Sequence, residues 1–60
     1  MPALAKIFDD RKYMWDGEVY ETKEEAQTVV EKYQQDGFET KIVEEEGKFL
    51  VYNRREVETQ

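Results

Sequence analysis

The sequence predicts an α+β fold, a two-layer sandwich of order β-β-α-β-β in which one helix packs on one face of a mostly antiparallel sheet. Three stretches carry that expectation. Thr22-Lys23-Glu24-Glu25 announces a helix, and Asp16-Gly17 and Glu46-Gly47 each stand between β-forming residues as a tight turn would. A capped helix between two hairpins has one economical packing, with its apolar stripe laid across the sheet.

The helix is expected from Lys23 to Gln35. The Thr22 hydroxyl can accept from the Glu25 amide while the Glu25 side chain reaches back to the Thr22 amide, the reciprocal arrangement of a capping box. Ala26, Val29, Val30 and Tyr33 fall at i, i+3, i+4 and i+7, a single apolar stripe. Gly37 stands where a left-handed residue ends a helix, and Phe38 beyond it can close back onto Tyr33.

Before the helix, residues 1–5 read as a loose start and Lys6-Ile7-Phe8 as a short strand. Asp9-Asp10-Arg11-Lys12 interrupts it, as a turn or as a weakly paired edge. Asp-Gly suits a two-residue type I′ turn, whose central residues both need positive φ. That register pairs Trp15 with Glu18, Met14 with Val19 and Tyr13 with Tyr20. Strand alternation then puts Met14 and Val19 on one face and Tyr13, Trp15 and Tyr20 on the other. After the helix, Phe38 to Glu45 reads as a strand, Glu46-Gly47 as a turn and Lys48 to Val57 as the last strand. A two-residue turn pairs Glu45 with Lys48, Val43 with Leu50, Lys41 with Tyr52 and Glu39 with Arg54. Two of those pairs oppose unlike charges, which supports the register. Phe38, Ile42, Phe49 and Val51 collect on one face, with Val43, Leu50 and Tyr52 on the other. Residues 58–60 read as a tail.

Sixty residues make one domain, whose small core leaves it marginal. With no Cys and no His there is neither a disulfide nor the usual zinc ligands, so no cofactor or metal is expected. Dense packing of the eight aromatics (one Trp, four Tyr, three Phe) or self-association can compensate, so a homodimer follows from size alone as one possibility. The net charge of −6 repels phosphate backbones and anionic membranes, which weighs against a nucleic-acid partner. No apolar run reaches spanning length, so no membrane contact is expected. Met1-Pro2-Ala3-Leu4-Ala5 lacks the charged start and long apolar middle of a secretion signal, and the expected location is cytoplasmic.

Three groups of side chains could form a site. The first is the sheet face away from the helix. There Tyr13, Trp15, Tyr20, Leu50 and Tyr52 would make an aromatic surface beside Lys41 and Arg54, with Lys48 a further candidate. Aromatic rings stack on bases, sugars or Pro-rich peptides, and arginine adds cation–π and phosphate contacts. The same face could instead be buried by the N-terminal segment or by a second copy, since an apolar patch of this kind marks association. The second group is the carboxylates Asp9, Asp10, Asp16 and Glu18 with the run Glu44-Glu45-Glu46. Acid–base chemistry would need one of them buried and shifted, and their spacing does not match a calcium loop; solvated turns are the plainer reading. The third is Lys6, Arg11 and Lys12 with Arg54 and Arg55, which could meet phosphate or simply form ion pairs with surrounding acids. Without Cys, His or Ser, a serine-type or cysteine-type nucleophilic site is excluded. The three glycines are taken up by turns and a helix end, which leaves no phosphate loop.

The stretch Thr22 to Tyr52 resembles one βαββ half of a SPOR-type domain, through its capped helix, Ala26, Gly37-Phe38, the acidic turn at Gly47 and Phe49-Leu50-Val51-Tyr52. That resemblance implies binding of denuded peptidoglycan glycan strands on the sheet face away from the helices. A full SPOR fold needs a second helix, which this sequence lacks. The overall pattern also resembles small acidic prokaryotic proteins of unknown function, which implies a fold and nothing catalytic. The sequence therefore leads to a non-enzymatic interaction module, self-associating or protein-binding through the sheet face. The alternative is a platform for single-stranded nucleic acid or glycan on the same aromatic face.

Overall fold

The computed structural model describes residues 3–55. The elements are β1 (Ala5–Phe8), β2 (Arg11–Tyr20), α1 (Lys23–Gln35), β3 (Phe38–Glu45) and β4 (Lys48–Arg55). The α+β class and the β-β-α-β-β order are as expected. All four strands form one antiparallel sheet in the order β1-β2-β4-β3.

The helix has the expected bounds. Thr22 is extended at its N-terminus, and its hydroxyl accepts from the Glu25 amide at 3.1 Å. The return arm differs from a full capping box: the Glu25 carboxylate meets the Thr22 hydroxyl, 3.4 Å away, and not the Thr22 amide. At the other end Gly37 has φ +89° and donates to the Gln34 carbonyl, while Phe38 sets its ring edge-on to Tyr33 with centroids 5.7 Å apart. The helix packs chiefly on β3, then on β4, and least on β2. Ala26 is fully buried on its inner face, and Val29, Val30 and Tyr33 are half-buried.

The C-terminal hairpin has the expected register throughout, from Glu45↔Lys48 to Glu39↔Arg54. Glu46 (φ 52°) and Gly47 (φ 76°) form its two-residue turn, with both φ values positive as type I′ requires. The last strand runs to Arg55; the expected extension to Val57 and the tail at 58–60 lie outside the described residues, as do Met1 and Pro2 of the expected loose start.

The N-terminal hairpin departs from expectation. Its turn is Asp9-Asp10, with φ values of 51° and 63°, and the strands pair as Phe8↔Arg11, Lys6↔Tyr13 and Ala5↔Met14. Aspartate tolerates the left-handed region better than most residues with a Cβ, so Asp-Asp serves here. Asp16-Gly17 is not a reversal, and the pairs Trp15–Glu18, Met14–Val19 and Tyr13–Tyr20 do not form. These two residues lie inside the ten-residue β2, in a bulge where the register against β4 slips from Trp15↔Tyr52 to Val19↔Leu50. Four steps along β2 match two along β4, so two extra residues are absorbed and Gly17 (φ +88°) supplies the conformation the bulge needs. Asp16 Oδ1 accepts from the Glu18 amide at 3.0 Å, and Trp15 Nε1 donates to the Glu18 carbonyl at 2.9 Å. Turn chemistry is present at Asp16-Gly17, used to kink a strand that continues.

The bulge also redistributes the faces. Residues opposite one another in an antiparallel ladder share a face, and successive residues alternate. Tyr13, Trp15 and Val19 therefore lie with Leu50 and Tyr52, whereas Met14 and Tyr20 lie with Asn53 and Phe49 on the helix side. Val19 and Tyr20 have exchanged the sides expected of them. The start of the chain is also tied more firmly than expected. The Leu4 carbonyl accepts from the Trp15 amide at 2.8 Å, the Ala3 carbonyl accepts from the Tyr52 hydroxyl at 2.5 Å, and Ala5 opens β1.

Candidate functional site

Of the seven residues expected on one aromatic face, Tyr13, Trp15, Lys41, Leu50, Tyr52 and Arg54 do share it, and Tyr20 does not. That face is not open. Tyr13 is 3% exposed, Leu50 2% and Tyr52 0%, with Phe8, Trp15 and Val43 packed around them. Phe8 meets Tyr13 edge-on at 5.2 Å and Tyr52 at 6.3 Å between centroids. The sheet has curled over this face and made it a second core.

Charged side chains strung across the trough show how the curl is held. Lys6 of edge strand β1 reaches Glu45 of the opposite edge strand β3, with Nζ and Oε2 3.3 Å apart, and its ammonium lies 5.7 Å from the centre of the Tyr52 ring. From the β1–β2 turn, Asp9 faces Lys41 of β3 at 3.9 Å. Glu39 Oε2 takes Arg11 of β2 at 3.5 Å and also pairs with Arg54 of β4. Lys41 and Arg54, expected to flank a ligand, are thus part of the closure. So are Lys6 and Arg11, which the sequence grouped as a basic cluster. Exposed ion pairs of this kind each contribute about 0–1 kcal/mol, so apolar burial sets the closure and charge fixes where the edges meet.

Tyr20, on the helix side, belongs to a polar knot around the bulge. Its hydroxyl donates to Asp16 Oδ2 at 2.8 Å, and the Tyr33 hydroxyl of the helix reaches the same oxygen at 3.4 Å. Burial, followed by the hydrogen bond to Asp16, holds the Tyr20 hydroxyl well above the ordinary tyrosine range. Burial and the Asp16 charge raise Tyr33 as well. Burial also raises Tyr52 in the trough, against a lowering by Lys6. One carboxylate therefore fastens bulge, strand and helix together. Of the other carboxylates, Asp9 and Asp10 make the first turn and Glu46 the second. Among the described residues no group of three or more Asp or Glu is placed to hold a metal ion.

On the trough side Val19, beside the bulge, stays 47% exposed and Leu4, ahead of β1, 69%, but a contiguous uncovered patch lies elsewhere. The helix leaves bare the helix-side face of the β1–β2 hairpin, where Ile7 is 65% and Met14 49% exposed. Ile7 opposes Lys12 and Met14 opposes Ala5, so Ile7 and Met14 are diagonal neighbours on one face. Lys12 precedes Met14 by two on β2, and Arg55 follows Asn53 by two on β4, which brings two exposed cations to the same shelf. Neither has a carboxylate partner among the described residues, while Lys6, Arg11, Lys41, Lys48 and Arg54 all do. Arg55 instead lies over the Phe38 ring at 5.7 Å. Between Met14 and Thr40, Asn53 keeps its Oδ1 buried without a hydrogen-bond partner among the described residues. The sequence reading missed this shelf because it placed Met14 with Val19 in a hairpin that does not form.

No family model matches the chain, and neither a curated protein nor a solved structure matches it. No helix among the described residues is long and apolar enough to cross a membrane.

Proposed function

We propose that this chain is a small non-enzymatic interaction module, working in the cytoplasm, that binds a protein partner through the sheet. The contact surface is the shelf of the N-terminal hairpin and not the aromatic face. One observation carries the reading: Ile7 and Met14 stay exposed side by side while two cations next to them lack carboxylate partners among the described residues. On a chain of net charge −6, a local pair of positive charges framing aliphatic surface fits a partner segment that alternates carboxylates with aliphatic side chains. A ligand that stacks on rings, whether single-stranded nucleic acid or glycan, needs ring faces open to water, and the Tyr13 and Tyr52 side chains lie inside the trough.

A test needs only a short synthetic peptide alternating Glu with Leu and a control in which Lys replaces Glu. Titrated into the isotope-labelled protein, the acidic peptide is expected to shift the amide resonances of Ile7, Lys12, Met14 and Arg55, and the lysine peptide to leave them in place. Equal response to both peptides, or shifts confined to the trough, would overturn the assignment.

A further inference from the structure

We infer that the free edge of β3 takes a second copy of the same strand, antiparallel about a two-fold axis at Thr40, joining two sheets into one of eight strands. This concerns a different surface from the shelf and stands or falls without it. β3 is the outer strand next to β4, eight residues long. The two-residue turn at Glu46-Gly47 makes Glu45↔Lys48 a hydrogen-bonded pair, and from there hydrogen-bonded and open pairs alternate. The backbone groups of Glu39, Lys41, Val43 and Glu45 are thereby turned to β4. Those of Phe38, Thr40, Ile42 and Glu44 point away from the sheet, a row of donors and acceptors of the kind that recruits another strand.

The side chains select the partner and the register. With Thr40 opposite Thr40 of the second copy, Glu39 stands opposite Lys41 twice and Phe38 opposite Ile42 twice. Centring on Lys41 sets two ammonium groups against each other, and centring on Ile42 opposes Glu39 to Glu45. Centring on Val43 pairs Lys41 with Glu45 but sets Ile42 against Glu44. Arg11 and Arg54 both address Oε2 of Glu39, which leaves Oε1 for the incoming Lys41. Unlike charges and apolar side chains directly opposite one another favour a pairing, and like charges oppose it. The Thr40 register alone satisfies both demands with this strand's own sequence, so the occupant that fits is a second copy.

Sedimentation equilibrium of the full chain is expected to show a reversible monomer–dimer. Thr40→Pro removes a donor that points away from β4, so the far-ultraviolet circular dichroism should persist while the dimer disappears. Lys41→Glu places carboxylates against carboxylates at two symmetric positions and should weaken dimerisation about tenfold or more. Thr40→Lys, at a position outside the ion pairs of the trough, sets two ammonium groups against each other on the axis and should weaken the dimer as well. If Thr40→Pro fails to fold, the two charge variants decide alone. A wild type that stays monomeric at every concentration overturns the inference. So does a dimer that Lys41→Glu and Thr40→Lys both leave intact. A dimer that survives the β3 variants but dissolves on Ile7→Lys also overturns it, by placing the second copy on the shelf.

Discussion

On one face of the sheet Val51 lies under a helix; on the other, one residue along, Tyr52 lies under the sheet's own curl and a row of charged side chains. Both are fully buried. The helix side needs thirteen residues of helix to cover it and leaves the N-terminal hairpin bare. The trough needs no additional element, because Phe8, Tyr13, Trp15 and Tyr52 are bulky enough to fill the concave side once the edges bend toward each other. The described residues hold one helix, and large aromatics on a curled sheet provide a second core without another.

The comparison breaks most sharply at its two central residues. Tyr52→Ala should cost about 3–5 kcal/mol, since it removes a fully buried ring packed beside Phe8 and leaves a cavity in its place. Val51→Ala, two methyl groups on the helix side, should cost about 2 kcal/mol. Urea unfolding followed by circular dichroism measures both. If the trough were only a loosely covered surface, Tyr52→Ala would cost no more than Val51→Ala.

The next test bears on the bulge, where the helix side is pinned to β2. Asp16→Asn should cost about 1.5–3 kcal/mol, because a charged acceptor shared by two tyrosine hydroxyls is replaced by a neutral one. Its signature is in alkali. Tyr20, Tyr33 and Tyr52 all have raised folded-state values, so the folded protein keeps protons that the unfolded chain releases from about pH 10 upward. Their contribution is fully present below that pH and is lost as pH climbs from there toward the folded values. Stability should therefore fall steeply above about pH 10. The Asn variant should shift tyrosinate absorbance at Tyr20 and Tyr33 to lower pH while Tyr52 stays in place. An unchanged titration would mean that Asp16 does not govern those hydroxyls.

The same contrast explains what the sequence revealed. The helix, its cap at Thr22, its end at Gly37 with Phe38 on Tyr33, and the C-terminal hairpin with its register all rest on interactions between residues close in the chain, which periodicity and turn chemistry report directly. Asp16-Gly17 misled for a physical reason. Positive φ suits a hairpin turn and a bulge equally, and only the pairing of β2 with the distant β4 decides between them. That choice moved Tyr20 off the aromatic face and brought Met14 beside Ile7 on the shelf. The closure of the trough was legible only as one of several outcomes, since Lys6 and Glu45, or Asp9 and Lys41, carry no local mark that they will meet.

The smallest expected effect isolates the charges from the rings. Lys6 and Glu45 join the two edges of the sheet, each with about a third or more of its side chain in water. Water and salt screen such a pair, and the coupling energy from Lys6→Gln, Glu45→Gln and the double variant should be about 0.2–1 kcal/mol, shrinking as salt is raised. Lys6→Gln also withdraws a cation from the Tyr52 ring, a loss of about 0.5–1 kcal/mol that the Glu45 variant does not share, so Lys6→Gln should be the more damaging single change. Trp15, packed at the side of the trough, reports both by fluorescence. The Val51→Ala loss, by contrast, should not shrink with salt, because only apolar packing is removed there. A Lys6–Glu45 coupling that held constant from low to high salt would mean the ion pair is sheltered from water, and the curl would then owe its shape to charge as much as to the aromatic side chains beneath it.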